Sequence, residues 1–546
     1  MDGIFSLNQP WNSSNMLFGG NYKSLIVEKA PSLDRVRMDL EAYDVPILYL
    51  DSFGKITGFG FPPFFDYPLY WTLSQGTVLF SHDMFMLAHE GGCKNLDIEQ
   101  SQYLLAKGYC DPLCTPCEQI RQFGGSSFYS VGSIGKLTRL DLSYGHIEWD
   151  SEESCYRDFK RRLNMGVDNY LERFGDAKHY LLLSGGADSR LIFLLLLTRK
   201  VHFEALSSLY VPGTFSDNAS DVYLAGMLCE RCGIKHNVSQ VNLDLLSESF
   251  MREMVAQSPC GSHLSAGFRI PIAEFVRDDA VIWTGQNMDG LYSLGPSGRF
   301  SLDKHGLAQL LKRFYLSREY MSTLPDVKER GSKVMGWLAL LAAEIFKIGY
   351  GDHAMTLPRN VMEYQHRFRS CDDYVVLRDD GVEFSELASP ISASELKENL
   401  FKDKLAYIRG GDSQIICSSA RLSNADVAFP FSTMSLVEWF NSYQLNYKDV
   451  VHPKRFVYRY IKELSSEIDP KLGVFRRRER VIPGIEAPYD LYGFMGNVLE
   501  SSLFREMRDV VGDNMETTQA NGKKVLDDAH KVMRRYWLEV VRRNLE

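Results

Sequence analysis

Two short stretches hold the residues best suited to chemistry. The first, Ser184-Gly185-Gly186-Ala187-Asp188-Ser189, separates the apolar run Tyr180–Leu183 from the apolar run Leu191–Leu197. Paired glycines permit positive φ and let backbone approach a ligand closely. Loop N–H groups and the start of a following helix make an anion site. The hydroxyls of Ser184 and Ser189 add donors. Asp188 repels a bare anion, so a cation is expected between the two, and Mg²⁺ suits a carboxylate combined with phosphate oxygens. No Lys-Ser/Thr follows the glycines, so this is not the loop that cradles a transferable γ-phosphate. A loop that holds pyrophosphate without that lysine fits cleavage between the α- and β-phosphates. Taken alone, the motif reads equally well as an ordinary strand-turn-helix corner.

The elements around it must place it. The spacing predicts a helix over Tyr156–Phe174, a strand at Tyr180–Leu183, a helix at Asp188–Leu197, a strand at His202–Leu209 and a helix at Ser216–Arg231. Further strands are expected at Ile234–Val241 and Asp279–Gly285. Strands alternating with helices argue for a parallel sheet covered by helices. In such sheets ligands bind beyond the carboxyl ends of the strands, where the first polar stretch falls. From about residue 300 the apolar spacing is mostly helical, as in Val334–Gly349. Residues 1–150 differ. Short alternating runs at Val45–Asp51, Gly76–Asp83 and Gly135–Ser143, separated by turn residues, read as mainly β. The acidic stretch Ile147–Phe159 is the expected seam.

The Ser-Gly-Gly-x-Asp-Ser hexapeptide resembles the pyrophosphate loop of N-type ATP pyrophosphatases, and within them the asparagine synthetase family, which includes β-lactam synthetases and lasso-peptide cyclases. Three further stretches are similar, in the family's order. Trp283–Gly295 resembles the second acidic loop, which implies that Thr284 and Gly285 lie at the adenine and ribose and that Asp289 is the second Mg²⁺ carboxylate beside Asp188. Val427–Ser442, followed by the basic "HPKRFVYRYIKEL", resembles an Arg-x-Pro-Phe-x-Asp-x-x-Leu-Val-Glu segment. Ile468–Val474 resembles the segment whose lysine stabilises the acyl-adenylate transition state, a role that falls on Lys471, with Phe475–Arg480 as another source of the cation. Phe64–His89 resembles part of the family's glutaminase domain. His236 matches a family histidine at a strand start and reads as structural.

The sequence also departs from the family. A glutaminase of this type uses an N-terminal cysteine, whereas position 2 is Asp2 and the first cysteine is Cys93. Few residues precede Pro68-Leu69-Tyr70. No glutamine hydrolysis is expected. Gln286 stands where asparagine-forming members carry Glu and β-lactam-forming members carry Tyr, and an amide cannot act as a base.

Other classes recede. The chain has 546 residues, 45% hydrophobic and 24% charged, with a net charge of −9. That charge argues against a nucleic-acid partner. The start of the chain lacks a basic and apolar leader pattern, and no apolar run reaches the ~20 residues that span a bilayer. A cytoplasmic protein with mostly reduced thiols is expected. Cys110, Cys114 and Cys117 with Cys229 and Cys232 have metal-like spacing. Cys229 and Cys232 fall on a periodic helix, however, and the resemblance implies no such site.

The expectation is therefore an α/β protein. Residues 1–150 are a shortened, β-rich, glutaminase-like domain. Residues 151–546 are an adenine nucleotide α-hydrolase-like synthetase domain with a parallel sheet and a helical C-terminal part. The resemblance implies ATP and Mg²⁺ as cofactors. Leu183, Ser184, Gly185, Gly186, Asp188, Ser189, Thr284 and Gly285 would bind ATP or pyrophosphate, Asp188 and Asp289 the metal, and Lys471 would be catalytic. The reaction implied is adenylation of a carboxylate on a small molecule or peptide, followed by attack of an amine to give an amide, lactam or macrolactam, with proteins of the same pathway as partners. Ammonia-dependent amidation of an acid and a non-catalytic scaffold are the alternatives.

Overall fold

The computed structural model describes residues 5–6, 23–26, 31–65, 69–107, 110, 113–132, 136–209, 221–240, 266–292, 408, 412–443, 454–470, 472, 534–536 and 538–546. Among the described residues nine strands come first: β1 (Phe5–Ser6), β2 (Lys23–Ile26), β3 (Ile47–Leu50), β4 (Ile56–Phe61), β5 (Tyr70–Ser74), β6 (Thr77–Ser81), β7 (Arg121–Gln122), β8 (Ser127–Val131) and β9 (Leu137–Asp141). They form two sheets, in the orders β1-β6-β5-β7 and β2-β3-β4-β8-β9. Every pairing is antiparallel except β2 with β3.

The sequence Gly58-Phe59-Gly60-Phe61 explains how β4 joins the layers, since side chains alternate across a strand. Phe59 and Phe61 point into a core shared with Val78, Phe80 and Phe123 of the other sheet. The glycines face the opposite way. A Cβ at Gly60 would meet Val36 at 3.2 Å and Tyr49 at 3.3 Å, so the bare backbone admits α1 (Leu33–Tyr43), whose Val36 and Leu40 pack on Ile47, Tyr49 and Phe128. On the far side α2 (Met84–Gly91) packs on β5 and β6. The layers run helix, sheet, sheet, helix. A further helix, α3 (Ile98–Lys107), follows α2.

The second part is built on β10 (Lys178–Leu182), β11 (Phe203–Leu209), β12 (His236–Gln240), β13 (Ala280–Thr284) and β14 (Ala425–Ala428). All are parallel, in the order β12-β11-β10-β13-β14. The chain starts in the middle, builds outward to β12, then returns to the other side of β10. The order therefore switches between β10 and β13, where open α/β sheets place their ligands. The helices are α4 (Glu152–Phe174), α5 (Ala187–Thr198), α6 (Asp221–Cys232), α7 (Ala266–Phe275), α8 (Met288–Tyr292), α9 (Asp412–Leu422), α10 (Met434–Ser442) and α11 (Arg455–Ile468). Expected strands and helices in 178–284 agree with these bounds to within a few residues; 210–220 and 334–349 lie outside the described residues. α4 starts before the expected Tyr156 because Ser151 and Ser154 form a reciprocal capping box, each side chain meeting the other's backbone N–H at 3.1 Å.

Leu191 through Leu196 of α5 are buried on every side. The sheet covers one flank and α11 packs on another, which is why this helix is apolar all round. Among the described residues no helix is long and apolar enough to cross a membrane.

The two parts meet along α10 and the turn before it. The buried carboxylate of Glu438 accepts from Arg37 of α1, from Arg162 Nη1 of α4 at 3.1 Å and from the Gly145 N–H at 3.0 Å. Ser442 Oγ accepts the Ile147 N–H at 3.0 Å. The rings of Phe64 and Phe429 lie 4.5 Å apart. Removing one partner of a buried ion pair costs several kcal/mol, so Glu438 ties the parts together through charge as well as packing.

Candidate functional site

The site begins where β10 ends. Leu183 continues the strand pairing, its N–H donating to Leu206 O at 2.9 Å. Ser207 Oγ donates to Leu183 O at 2.6 Å and lies 2.8 Å from His236 Nε2. The serine proton is committed to the carbonyl, so His236 Nε2 carries the proton of the second bond. Burial lowers the pKa of this imidazole, and the histidine braces the strand end in its neutral form.

Beyond Leu183 the loop is held by its own serines. The Ser184 N–H donates to Ser189 Oγ at 3.1 Å, the two hydroxyls lie 3.0 Å apart, and the Gly186 N–H donates to Ser184 Oγ at 3.2 Å. Arg190, 3% exposed, donates from Nη2 to Gly185 O at 3.0 Å. That bond turns the carbonyl toward the interior and sets a buried positive charge behind the loop. Gly186 occupies the N-cap of α5 and offers no side-chain cap, so the positive end of the helix faces the loop without a competing carboxylate or hydroxyl at that position.

The second loop stands beside the first because β13 pairs with β10, Leu182 opposite Thr284. Thr284 is buried, and its Oγ1 accepts the Gln286 N–H at 3.1 Å. Gly285 passes against the first turn of α5. A Cβ there would lie 2.5 Å from Ser189 N and 2.7 Å from the Asp188 carbonyl carbon. Only glycine allows the loops to interlock this closely. Asn287 takes φ 74, in the left-handed region that asparagine tolerates. Its Nδ2 donates to Ser432 Oγ at 2.6 Å, and Ser413 donates to its Oδ1. Asp289 lies on α8, with its side chain outside the described residues.

A third element supplies a cation. Lys454 sits at the N-cap of α11 with φ 59, and its Nζ lies 2.6 Å from Asp188 Oδ2; both side chains are 15% exposed. Arg455, next in the chain, donates to the Tyr443 hydroxyl at 2.8 Å and pairs with Glu152. Strain at a left-handed non-glycine residue persists where the surroundings impose it. Here α11 packs on α5 and α4, and that packing holds Lys454 beside the loop. Lys471 and 475–480 lie outside the described residues. Their nearest described neighbour, Leu472, is buried and donates its N–H to Asp469 O at 2.9 Å, while Asp469 pairs with Arg231 of α6.

Residues 183–189 and 284–285 thus form one surface at the switch point, joined by Lys454, which the sequence reading left unassigned. Its signal was present in "HPKRF", a basic residue just ahead of an amphipathic helix.

No protein-family model matches the chain. No curated protein matches it. Among solved structures it is similar to a glutamine-dependent NAD⁺ synthetase from Acinetobacter baumannii, determined in complex with ADP, at 12% identity and a TM-score of 0.19. That match covers 68% of this chain and 65% of the synthetase, less than two thirds of its length.

Among the described residues no cluster of three or more His, Cys, Asp or Glu side chains is arranged to hold a metal ion. Cys93, Cys110, Cys117 and Cys229 are buried. Burial pushes the Cys117 thiol well above its ordinary range and the Cys229 thiol up to about 12.

Proposed function

We propose that the chain is an ATP-dependent, AMP-forming ligase that activates a substrate carboxylate and transfers the acyl group to an amine. The observation that carries this reading is the meeting of two glycine-bearing loops at the sheet's switch point, with the Asp188 carboxylate and the Lys454 ammonium side by side at the start of a helix.

The chain's own groups divide the work. Ser184, Gly185, Gly186 and Ser189, with the first turn of α5, bind the departing pyrophosphate. Lys454 offsets the charge of Asp188, which otherwise repels phosphate. Thr284 and Gly285 border the nucleoside. A substrate carboxylate oxygen attacks the α-phosphorus and the bond to the β-phosphate oxygen breaks. The amine then attacks the acyl carbon, loses a proton, and AMP leaves as the amide forms. Lys471 is proposed to stabilise the negative charge of that second step.

The donor set suits Mg²⁺. Asp188 is a partly buried carboxylate already paired with a cation, and Mg²⁺ binds through one or two carboxylates completed by phosphate oxygens. Asp188 and Asp289 would hold it, and it would screen the phosphates. The amine is proposed to be borne by the substrate.

The test is release of pyrophosphate and AMP from ATP·Mg²⁺ with a panel of amino acids and peptides, with and without ammonium. Release with a peptide in the absence of ammonium is the expected result. Release only with ammonium moves the reading to amidation by ammonia. ADP and phosphate as products, or no turnover with any acid, would refute it. Within the same assay Lys454→Met should weaken ATP binding about tenfold to a hundredfold, since a hydrogen bond to a charged group contributes ~1.5–3 kcal/mol; unchanged affinity by calorimetry removes Lys454 from the site.

A further inference from the structure

The segment on which the two parts meet also anchors the second loop. Asp44 ends α1 in the left-handed conformation, φ 49, and its Oδ1 accepts the Met434 N–H at 2.8 Å. Met434 is the first residue of α10. Thr433, in the N-cap position, gives the helix no side-chain bond, so this N–H is met by a carboxylate 390 residues upstream. Directly before Thr433, Ser432 ends the short turn Pro430–Ser432 and accepts from Asn287, whose left-handed backbone shapes the second loop. Asn287, Ser413 and Ser432 are all buried. Buried polar groups hold one arrangement when each is satisfied.

We propose that Asp44 is a positioning residue: by capping α10 it fixes the Pro430–Ser432 turn, and through Ser432 and Asn287 it sets the backbone of the second loop at the site. The N-terminal part then serves the site as a brace. This goes beyond the ligase reading and does not depend on it, because the relay is read in the loop's backbone and not in turnover.

The surroundings of Asp44 give the relay a pH signature. Arg173 and the Tyr170 hydroxyl, both on α4, face the carboxyl together with the Met434 N–H; the junction's other charges, Arg37, Arg162 and Glu438, pair among themselves. Burial outweighs these groups and raises the carboxyl to about 7. An unfolded aspartate ionises near ~4. Between the two values the folded chain holds a proton that the unfolded chain has released, so stability falls as pH rises through this window and levels off above it. Oδ1 accepts from Met434 in either state.

Hydrogen exchange on the full chain tests the relay, with 178–209 as internal standard. Asp44→Ala should speed exchange roughly tenfold in both 434–437 and 284–292, the effect of losing a helix cap of ~1 kcal/mol or somewhat more. Ser432→Ala should speed 284–292 alone. Asp44→Asn, which keeps the acceptor, should speed neither and should flatten the fall in melting temperature between about pH 4 and 7. Faster exchange in 434–437 without 284–292 overturns the relay, as does no change in either. If Asp44→Ala also loosens 178–209, Ser432→Ala decides, and unchanged exchange in 284–292 overturns the proposal.

Discussion

Asp188→Asn should abolish pyrophosphate release from ATP while leaving the fold intact. Asparagine keeps the shape of the side chain and an oxygen that accepts from Lys454, so packing at the start of α5 is unchanged. The negative charge is lost. Asp188 is the carboxylate proposed to hold Mg²⁺, and a metal held against departing phosphate contributes several kcal/mol of charge stabilisation. At tenfold for each ~1.4 kcal/mol, the expected loss is about a thousandfold or more in turnover. The Lys454 ammonium, 2.6 Å from Oδ2 in the parent chain, then faces a neutral amide and keeps its own charge. Binding of ATP without metal should therefore be retained or strengthened while turnover disappears. Full activity in Asp188→Asn would remove the metal role. Loss of metal-free ATP binding as well would point to collapse of the loop in place of lost chemistry.

Gly285→Ala should be nearly as severe, for a steric reason. The added methyl carbon would lie within 2.5–2.9 Å of Ser189 N, the Asp188 carbonyl carbon and Ser189 Cα. All three are backbone atoms of the first turn of α5, and they cannot turn aside as a side-chain tip would. Either loop must move, and overpacking of this kind costs ~1–3 kcal/mol. A displacement of about 1 Å between reacting groups can cost about a hundredfold in rate. The variant should melt lower than the parent and lose about a hundredfold in pyrophosphate release, with ATP affinity falling in parallel if both loops border the nucleotide as proposed. Retained activity with an unchanged melting temperature would show that the loops are not interlocked.

The parts of the fold legible in the sequence are those set by short-range pattern. The switch from alternating runs in Val45–Asp51 to strand-helix alternation after residue 178 reports the two kinds of sheet, because side-chain period and burial follow the backbone directly. Ser184–Ser189 was legible as the turn from β10 into α5, because paired glycines and short polar residues fall between two apolar runs. Lys454 was not, since it reaches Asp188 across 266 residues and only the packing of α11 on α5 brings it there. Nothing in the local sequence singles out Asn287. Its function depends on Ser413 and Ser432, which local pattern cannot connect to it. Asp44 reads as a turn residue after a helix, and it is one, but its carboxyl is used by a helix of the other part. The early start of α4 was hidden because Glu152 and Glu153 resemble a solvated seam, though acids in a first turn also favour a helix start.

The all-round burial of α5 bears on how this sequence can vary. A helix with an outward face absorbs substitutions there at little cost. Leu191 through Leu196 have no such face, so neither a charge nor a change of volume goes unfelt along that run. Around the loop itself Gly185, Ala187, Ser189 and Arg190 are also enclosed, leaving Ser184 and Gly186 as its solvent-facing positions. On packing grounds alone, substitution in this stretch is open only at Ser184, Gly186 and the half-buried Asp188, and the proposed site uses all three. A lineage that altered what it binds here would have to do so mainly from the surrounding segments, with the α5 mount held fixed.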